Sequence, residues 1–224
     1  MRKVVTSSVV AVLMAVTAVS AAAQEPKTDE QKTLYAIGIA VSQSLSVLNL
    51  SEAELEMVKV GLGDGVLHKT PKVDLQAYGP KIQALQQARL GAVAAIEKKA
   101  GLAFLDKAAT EPGATKTASG FVITTLKPGT GASPAATDKV KVHYQGTFTD
   151  GSVFDSSVQR GEPVTFPLNG VIRCWTEGVQ MMKVGGKSRL VCPADLAYGD
   201  RGAPPRIKPG ATLVFEVELL DIVK

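Results

Sequence analysis

Residues 211–223 read Ala-Thr-Leu-Val-Phe-Glu-Val-Glu-Leu-Leu-Asp-Ile-Val. Leu213, Phe215, Val217 and Leu219 fall on one face of this stretch, with Glu216 and Glu218 on the other. A period of two is the signature of a strand buried on one side. Further strands are expected at 121–126, 139–148, 164–168 and 187–192, punctuated by turn signals at Pro128-Gly129, Asp150-Gly151 and Gly185-Gly186. A sheet with one apolar face must be covered. Residues 174–182 carry the one helical pattern in this half, with Trp175, Val179 and Met182 on one side. The expected fold of residues 119–224 is therefore α+β: an antiparallel sheet, curved into a half-barrel, wrapped on one short helix.

Upstream, the period changes from two to that of a helix, which marks a second, all-α domain over residues 24–110. Thr28-Asp29-Glu30-Gln31 and Ser51-Glu52-Ala53-Glu54 both read as capping boxes, each opening a helix. Leu34, Ile37, Val41, Leu45 and Leu48 form the stripe of the first helix, and Leu55, Val58, Leu62 and Val66 that of the second. Gly61, Gly63 and Gly65 each cost the second helix about 1 kcal/mol, so its end should fray or pack closely on something. A third helix is expected from near Asp74 to Ala109, kinked at Pro80; the alternative is a start at Pro80 itself. Two short, half-apolar helices bury little alone. Homodimerisation through residues 28–70 is the expected use of their stripes, the alternative being mutual packing within one chain. Residues 111–118, within Glu-Pro-Gly-Ala-Thr-Lys-Thr-Ala-Ser, show no periodicity and are expected to be a linker.

Residues 1–23 place Arg2 and Lys3 before an apolar run from Val9 to Val19, then Ala21-Ala22-Ala23. This is the pattern of a cleavable signal peptide, and the run falls well short of the roughly 20 residues that span a bilayer. The expected location is the periplasm, the alternative being secretion, with no membrane span after cleavage. Losing Arg2 and Lys3 leaves 23 basic residues against 21 acidic. Without a dense basic run, nucleic acid is not an expected partner. Cys174 and Cys192 both lie in the exported part. An oxidising compartment permits a disulfide between them, worth roughly 3 kcal/mol by loop entropy, the alternative being two buried thiols. His68 and His143 lie far from both cysteines in the sequence, and no metal-ligand spacing is present.

The strand-rich half contains no GxSxG or HExxH pattern, so hydrolase chemistry has no support. Its distinctive residues are Tyr144-x-Gly146, Asp150-Gly151-x-x-Phe154-Asp155-Ser156-Ser157, Gly170-Val171-Ile172-x-x-Trp175, Ala197-Tyr198-Gly199 and Ala211-Thr212-Leu213-Val214-Phe215. Five ordered motifs in register closely resemble the FKBP-type peptidyl-prolyl isomerases over residues 119–224. Residues 24–118, with the stretch DEQKTLYAIGIAVSQSL and the long third helix, resemble the helical dimerisation region of the family's periplasmic macrophage-infectivity-potentiator-like branch.

The resemblance implies a peptidyl-prolyl cis-trans isomerase that assists folding of exported proteins, with unfolded or proline-containing exported polypeptides as clients. It implies Tyr144, Phe154, Trp175 and Phe215 as pocket walls, Trp175 lying under the proline ring with Val171 and Ile172 beside it. The amide of Ile172 and the hydroxyl of Tyr198 would hold substrate carbonyls. Asp155, hydrogen-bonded to Tyr144 and Arg160, would stand near the rotating carbonyl, and Ile207 would add an apolar contact. Three positions depart from the family pattern. Val164 stands where an aromatic wall is common, Cys174 where glycine is usual, and Arg206 where apolar residues are common. The alternative function is a binding chaperone that recognises proline-containing segments with little turnover.

The chemistry asked of such a pocket is modest. Rotation about the imide faces a barrier of about 18–20 kcal/mol through a twisted amide without resonance. Removing about 5.4 kcal/mol of it gives a factor of about 10,000. A twisted amide is less polar than a planar one, so an apolar pocket favours it, and no covalent intermediate or cofactor is needed.

Overall fold

The computed structural model describes residues 25–223. The signal peptide expected at 1–23 lies outside the described residues. Packing divides the chain into two units that meet between Ala40 and Val41.

The described part of the first unit is the beginning of helix α1 (Asp29–Leu45). Its capping box forms as read: the Gln31 amide donates to Thr28 Oγ1 and the Thr28 amide to Gln31 Oε1, both at 3.2 Å. The start of its apolar stripe stays in the open, with Leu34 61 % and Ile37 56 % exposed, whereas Leu45 and Leu48 are half-buried.

In the second unit α2 (Glu52–Val66) starts from the Ser51 capping box. It continues through Gly61, Gly63 and Gly65, around which a Cβ would meet nothing within 4 Å. The glycines therefore neither end the helix nor serve close packing within this chain. Helix α3 (Leu75–Ala109) starts at the Asp74 cap, whose carboxylate accepts from the Gln76 amide at 2.9 Å, and carries Pro80 inside it. Its 35 residues make a rod of about 52 Å. Arg89 on α3 pairs with Glu54 and reaches the Leu48 and Asn49 carbonyls, both at 3.4 Å, which ties the start of α2 to the rod.

The sheet has seven strands: β1 (Ala114–Lys116), β2 (Val122–Lys127), β3 (Lys139–Phe148), β4 (Val153–Ser156), β5 (Val164–Pro167), β6 (Lys187–Cys192) and β7 (Leu213–Val223). The order is β1-β2-β6-β7-β3-β4, with β5 also on β3, and every pairing is antiparallel. Val140, Val142 and Tyr144 of β3, Leu190 of β6, and Leu213, Phe215, Val217 and Leu219 of β7 are buried. They form one core with Trp175 and Val179 of α5 (Arg173–Gln180). A one-turn helix, α4 (Ser157–Arg160), follows β4.

The structure departs from the sequence reading in three places. The expected linker at 111–118 contains β1, which pairs with β2; three residues are too few to show a period. Strand β4 and helix α4 were not expected, for the same reason of length. The third departure concerns the outer face of the sheet. The last half of α3 seats there through Ala94, Gly101, Leu105 and Ala108, and Leu105 and Ala108 join Val122, Val191 and Val214 in a second core. Small side chains make the close approach possible. A Cβ on Gly101 would overlap Thr212 Oγ1, whereas one on Gly91 would meet nothing within 4 Å. Gly101→Val should therefore destabilise the protein by about 1–3 kcal/mol through overpacking. Gly91→Ala should be neutral or stabilise by up to about 1 kcal/mol. Urea unfolding followed by circular dichroism measures both, and equal midpoints for the two variants would contradict the docking of α3.

Candidate active site

Helix α5 presents Trp175 to the concave side of the sheet, 4 % exposed. Three rings meet the indole edge-on: Tyr144 at 5.3 Å between centroids, Phe215 at 5.4 Å and Phe166 at 5.9 Å. Phe154 of β4 completes the wall, perpendicular to Phe215 at 5.7 Å. Edge-to-face packing is the favoured geometry for aromatic quadrupoles, so these rings fix one another's orientation. The result is a cleft of about 640 Å³ with a Trp175 floor, entered past Val171, Ile172 and Tyr198. The Trp175 indole N–H is buried without a hydrogen-bond partner among the described residues, a desolvation cost carried at the cleft floor.

Tyr144 and Phe154 are each held from behind. Ser157 Oγ accepts from the Tyr144 amide at 2.8 Å and lies 3.2 Å from the Tyr144 carbonyl, fixing the strand that carries the ring. Gly146 leaves room for Phe154, whose Cζ would stand 2.5 Å from a Cβ at that position. A side chain there would push the ring out of the wall.

Among the described residues Asp155 is the one carboxylate lining the cleft. It accepts from the Tyr144 hydroxyl and from Arg160 Nη1, and Arg160 Nη2 donates to the same hydroxyl at 3.1 Å. Burial pushes the Asp155 carboxyl up, but the Tyr144 and Arg160 hydrogen bonds outweigh it and hold the group below its ordinary range. Burial, and then the hydrogen bond to Asp155, push the Tyr144 hydroxyl up, so it remains a donor. Tyr198 is also pushed up, by burial first and then by the Asp155 charge. Its side chain is 41 % exposed and its hydroxyl has no partner among the described residues. Ile172 is the N-cap of α5, where helix geometry leaves backbone N–H groups without intrahelical acceptors.

Of the residues singled out from sequence, Tyr144, Phe154, Asp155, Val171, Ile172, Trp175, Tyr198 and Phe215 line this cleft. Arg160 stands behind Asp155. Val164 and Ile207 do not line it. Val164 is half-buried against the core, and Phe166, two residues along the same strand face, supplies the wall instead. Ile207 is turned into the core, 6 % exposed, where its backbone exchanges hydrogen bonds of 2.9 and 3.0 Å with Ala203. Phe166, Gly170, Arg173 and Ala197 complete the lining and were not singled out as site residues. Phe166 was legible in principle, since Val164 and Phe166 share a face of an alternating strand. Cys174 and Cys192 lie under the cleft, fully buried and joined in a disulfide with Cα atoms 5.8 Å apart.

The cleft can take up an apolar ring, offer two donors near its mouth, and exclude water from what it encloses. Its carboxylate is already occupied by two donors, which suits it to holding a wall in place rather than to moving protons.

Residues 131–220 match the family described as FKBP-type peptidyl-prolyl cis-trans isomerase, and residues 30–122 the domain amino-terminal to FKBP-type peptidyl-prolyl isomerase. The chain is 42 % identical to the FKBP-type 22 kDa peptidyl-prolyl cis-trans isomerase of Escherichia coli (strain K12), covering 88 % of this chain and 97 % of that one. It is 31 % identical to the outer membrane protein MIP of Legionella longbeachae, over 99 % and 98 % of the two chains. Among solved structures, FkpA from Escherichia coli superposes with a TM-score of 0.66 at 37 % identity, over 88 % of this chain and 97 % of that one.

Proposed function

Since the chain belongs to the FKBP-type peptidyl-prolyl cis-trans isomerases, we propose that it turns X-Pro bonds of exported polypeptides in the Trp175 cleft, working as a periplasmic homodimer. The observation that carries the site assignment is the perpendicular aromatic box, floored by Trp175 and closed by one carboxylate already tied to Tyr144 and Arg160. The proline ring lies on Trp175 between Tyr144, Phe166 and Phe215. The Ile172 amide and the Tyr198 hydroxyl receive the substrate's carbonyls, and Asp155 stands beside the carbonyl that rotates. Turning the imide in this cleft strips water from the planar, more polar ground state, and no proton has to move.

Tyr198→Phe should lower kcat/KM several-fold, since one donor to a substrate carbonyl is lost, and leave the unfolding midpoint in place because the hydroxyl has no partner among the described residues. An unchanged kcat/KM for a proline peptide would remove Tyr198 from the site.

In this reading residues 1–23 are removed on export, residues 24–110 serve dimerisation, residues 111–118 connect, and residues 119–224 carry the catalytic cleft. The dimer reading rests on apolar side chains left in the open: Leu34 and Ile37 on α1, and separately Leu62 (51 % exposed) and Val66 (66 %) on α2. Contiguous exposed apolar surface marks an association site. Sedimentation of residues 24–224 at micromolar concentration should give twice the chain mass, and Leu34→Glu with Ile37→Glu should give the monomer. A wild-type monomer at that concentration would contradict the dimer.

A further inference from the structure

No residue of α3 lines the cleft, yet one face of this helix grips the loop that carries Tyr198. Tyr198 sits between two 3-10 turns, Ala194–Leu196 and Gly199–Arg201. Each turn presents one aspartate to the same ammonium: Lys98 Nζ stands 2.8 Å from Asp195 and 2.6 Å from Asp200. The two turns flanking the tyrosine are thus pinned to one point on the helix. One residue back on α3, Glu97 faces Lys208 at 3.5 Å, further along the same segment. Gly210 comes so close to Ala94 that a Cβ would stand 2.5 Å from the Ala94 carbonyl oxygen. The Gly210 amide in turn donates to the Gly199 carbonyl at 3.0 Å, and the Gly202 amide to the Tyr198 carbonyl at 3.1 Å. Ala94, Glu97, Lys98 and Gly101 therefore form a continuous seat for residues 195–212.

We propose that Lys98 is a positioning residue for the isomerase site, and that α3, through it, sets the fraction of molecules in which Tyr198 is placed to receive a substrate carbonyl. The Asp195 and Asp200 hydrogen bonds also raise the Lys98 ammonium above its ordinary range, so the tie persists across the neutral range. The aspartates are 75 % and 67 % exposed, and pairs so exposed contribute little to global stability. Their consequence is where the loop stands. When only a fraction of molecules is competent to bind, apparent affinity falls by that fraction while the bound complex reacts as before. The signature is a change in KM.

The inference rests on Tyr198 acting as a substrate-holding group, and the test separates the two. In the full chain, Lys98→Met should raise KM for a proline peptide about three- to tenfold with kcat nearly unchanged and an unfolding midpoint within a degree or two of wild type. Lys98→Arg, which keeps the charge and the donors, should restore most of the loss. Asp195→Asn with Asp200→Asn should reproduce the effect, and adding Lys98→Met to that pair should change nothing further. Lys116→Met, which breaks the pair between Lys116 and Asp106 on the same helix, is the control and should behave as wild type. If Tyr198→Phe lowers kcat/KM but Lys98→Met does not, this inference fails and the site reading stands. If Tyr198→Phe is itself silent, the site reading fails and takes this inference with it. A Lys98→Met protein that melts early and loses kcat without rescue by arginine has a merely structural lysine, which also overturns the proposal.

Discussion

Replacing Cys174 and Cys192 together with alanine should cost about 3 kcal/mol of stability, the entropy regained by the unfolded chain when a loop of this length is opened. The bridge spans 18 positions, from the second residue of α5 to the last of β6, and both cysteines are fully buried. It therefore pins the helix that carries Trp175 to the strand beneath it, next to Leu213 across β7. Loss of the sulfurs from a closed core adds a packing term on top of the chain entropy. In a protein of this size the unfolding midpoint should fall by about 6–12 °C. Adding a strong reductant to the wild type during unfolding should give a similar fall. Since the cysteines stand below the cleft rather than in it, isomerase activity well below the midpoint should survive in the variant. A midpoint equal to that of the oxidised wild type would show that the bridge contributes nothing to the fold. If activity were abolished while the fold is intact, the pinning of α5 would be a requirement of catalysis.

The second large effect is expected at Asp155. Asp155→Ala should lower kcat/KM by tenfold or more, about 1.4 kcal/mol of transition-state stabilisation. Removing the carboxylate leaves the Tyr144 hydroxyl without its acceptor and the Arg160 guanidinium without its counter-charge at the lip of an apolar cleft. An unpaired cation there attracts water to the surface that has to stay dry. Asp155→Asn keeps an acceptor and should lose less. The pH dependence follows from the same contacts. Folding depresses the Asp155 pKa, so the network is complete above the ordinary carboxylate pKa and is lost as pH falls through the folded value. On the alkaline side the Tyr144 hydroxyl is held protonated beyond its usual range. The profile of kcat/KM should be flat from about pH 5 to pH 9, since neither group titrates between these limits, with a decline only on the acid side. A bell with a limb near neutrality would mean that a proton moves in the transition state, which the apolar-cleft account excludes.

The parts of this protein legible in the sequence are those where a local rule and the tertiary structure agree. The alternation of Leu213 to Leu219 places β7 correctly because that strand is buried on one side along most of its length. The boxes at Thr28 and Ser51 mark two helix starts because side-chain capping is settled within four residues, and the third helix, expected from near Asp74, starts from a cap there. Most of the cleft was legible for another reason: its residues occur in ordered motifs, which periodicity by itself does not interpret. What the sequence hid depends on contacts between distant segments. Ala94, Gly101 and Ala108 carry no hydrophobic signal of note, and their smallness gains meaning only against Thr212, Gly210 and Val122. Strand β1 is a strand only because β2 pairs with it. Ile207 reads as an apolar contact for substrate, and the short bridge to Ala203 turns it into the core. Val164 and Phe166 share one face of their strand, and only reach across the cleft decides that Phe166 lines it and Val164 does not.

The central claim is that the Trp175 cleft accelerates rotation about X-Pro bonds without covalent or proton-transfer chemistry. The most direct measurement is the rate of cis-to-trans conversion in a panel of X-Pro peptides, catalysed by residues 24–224, with wild type and Tyr198→Phe with Asp155→Ala compared at the same concentration. The account predicts a rate above the uncatalysed one that rises linearly with wild-type enzyme, is independent of pH near neutrality, and falls by well over tenfold in the double variant. A wild-type rate no greater than the uncatalysed one, or a double variant as fast as wild type, would contradict it.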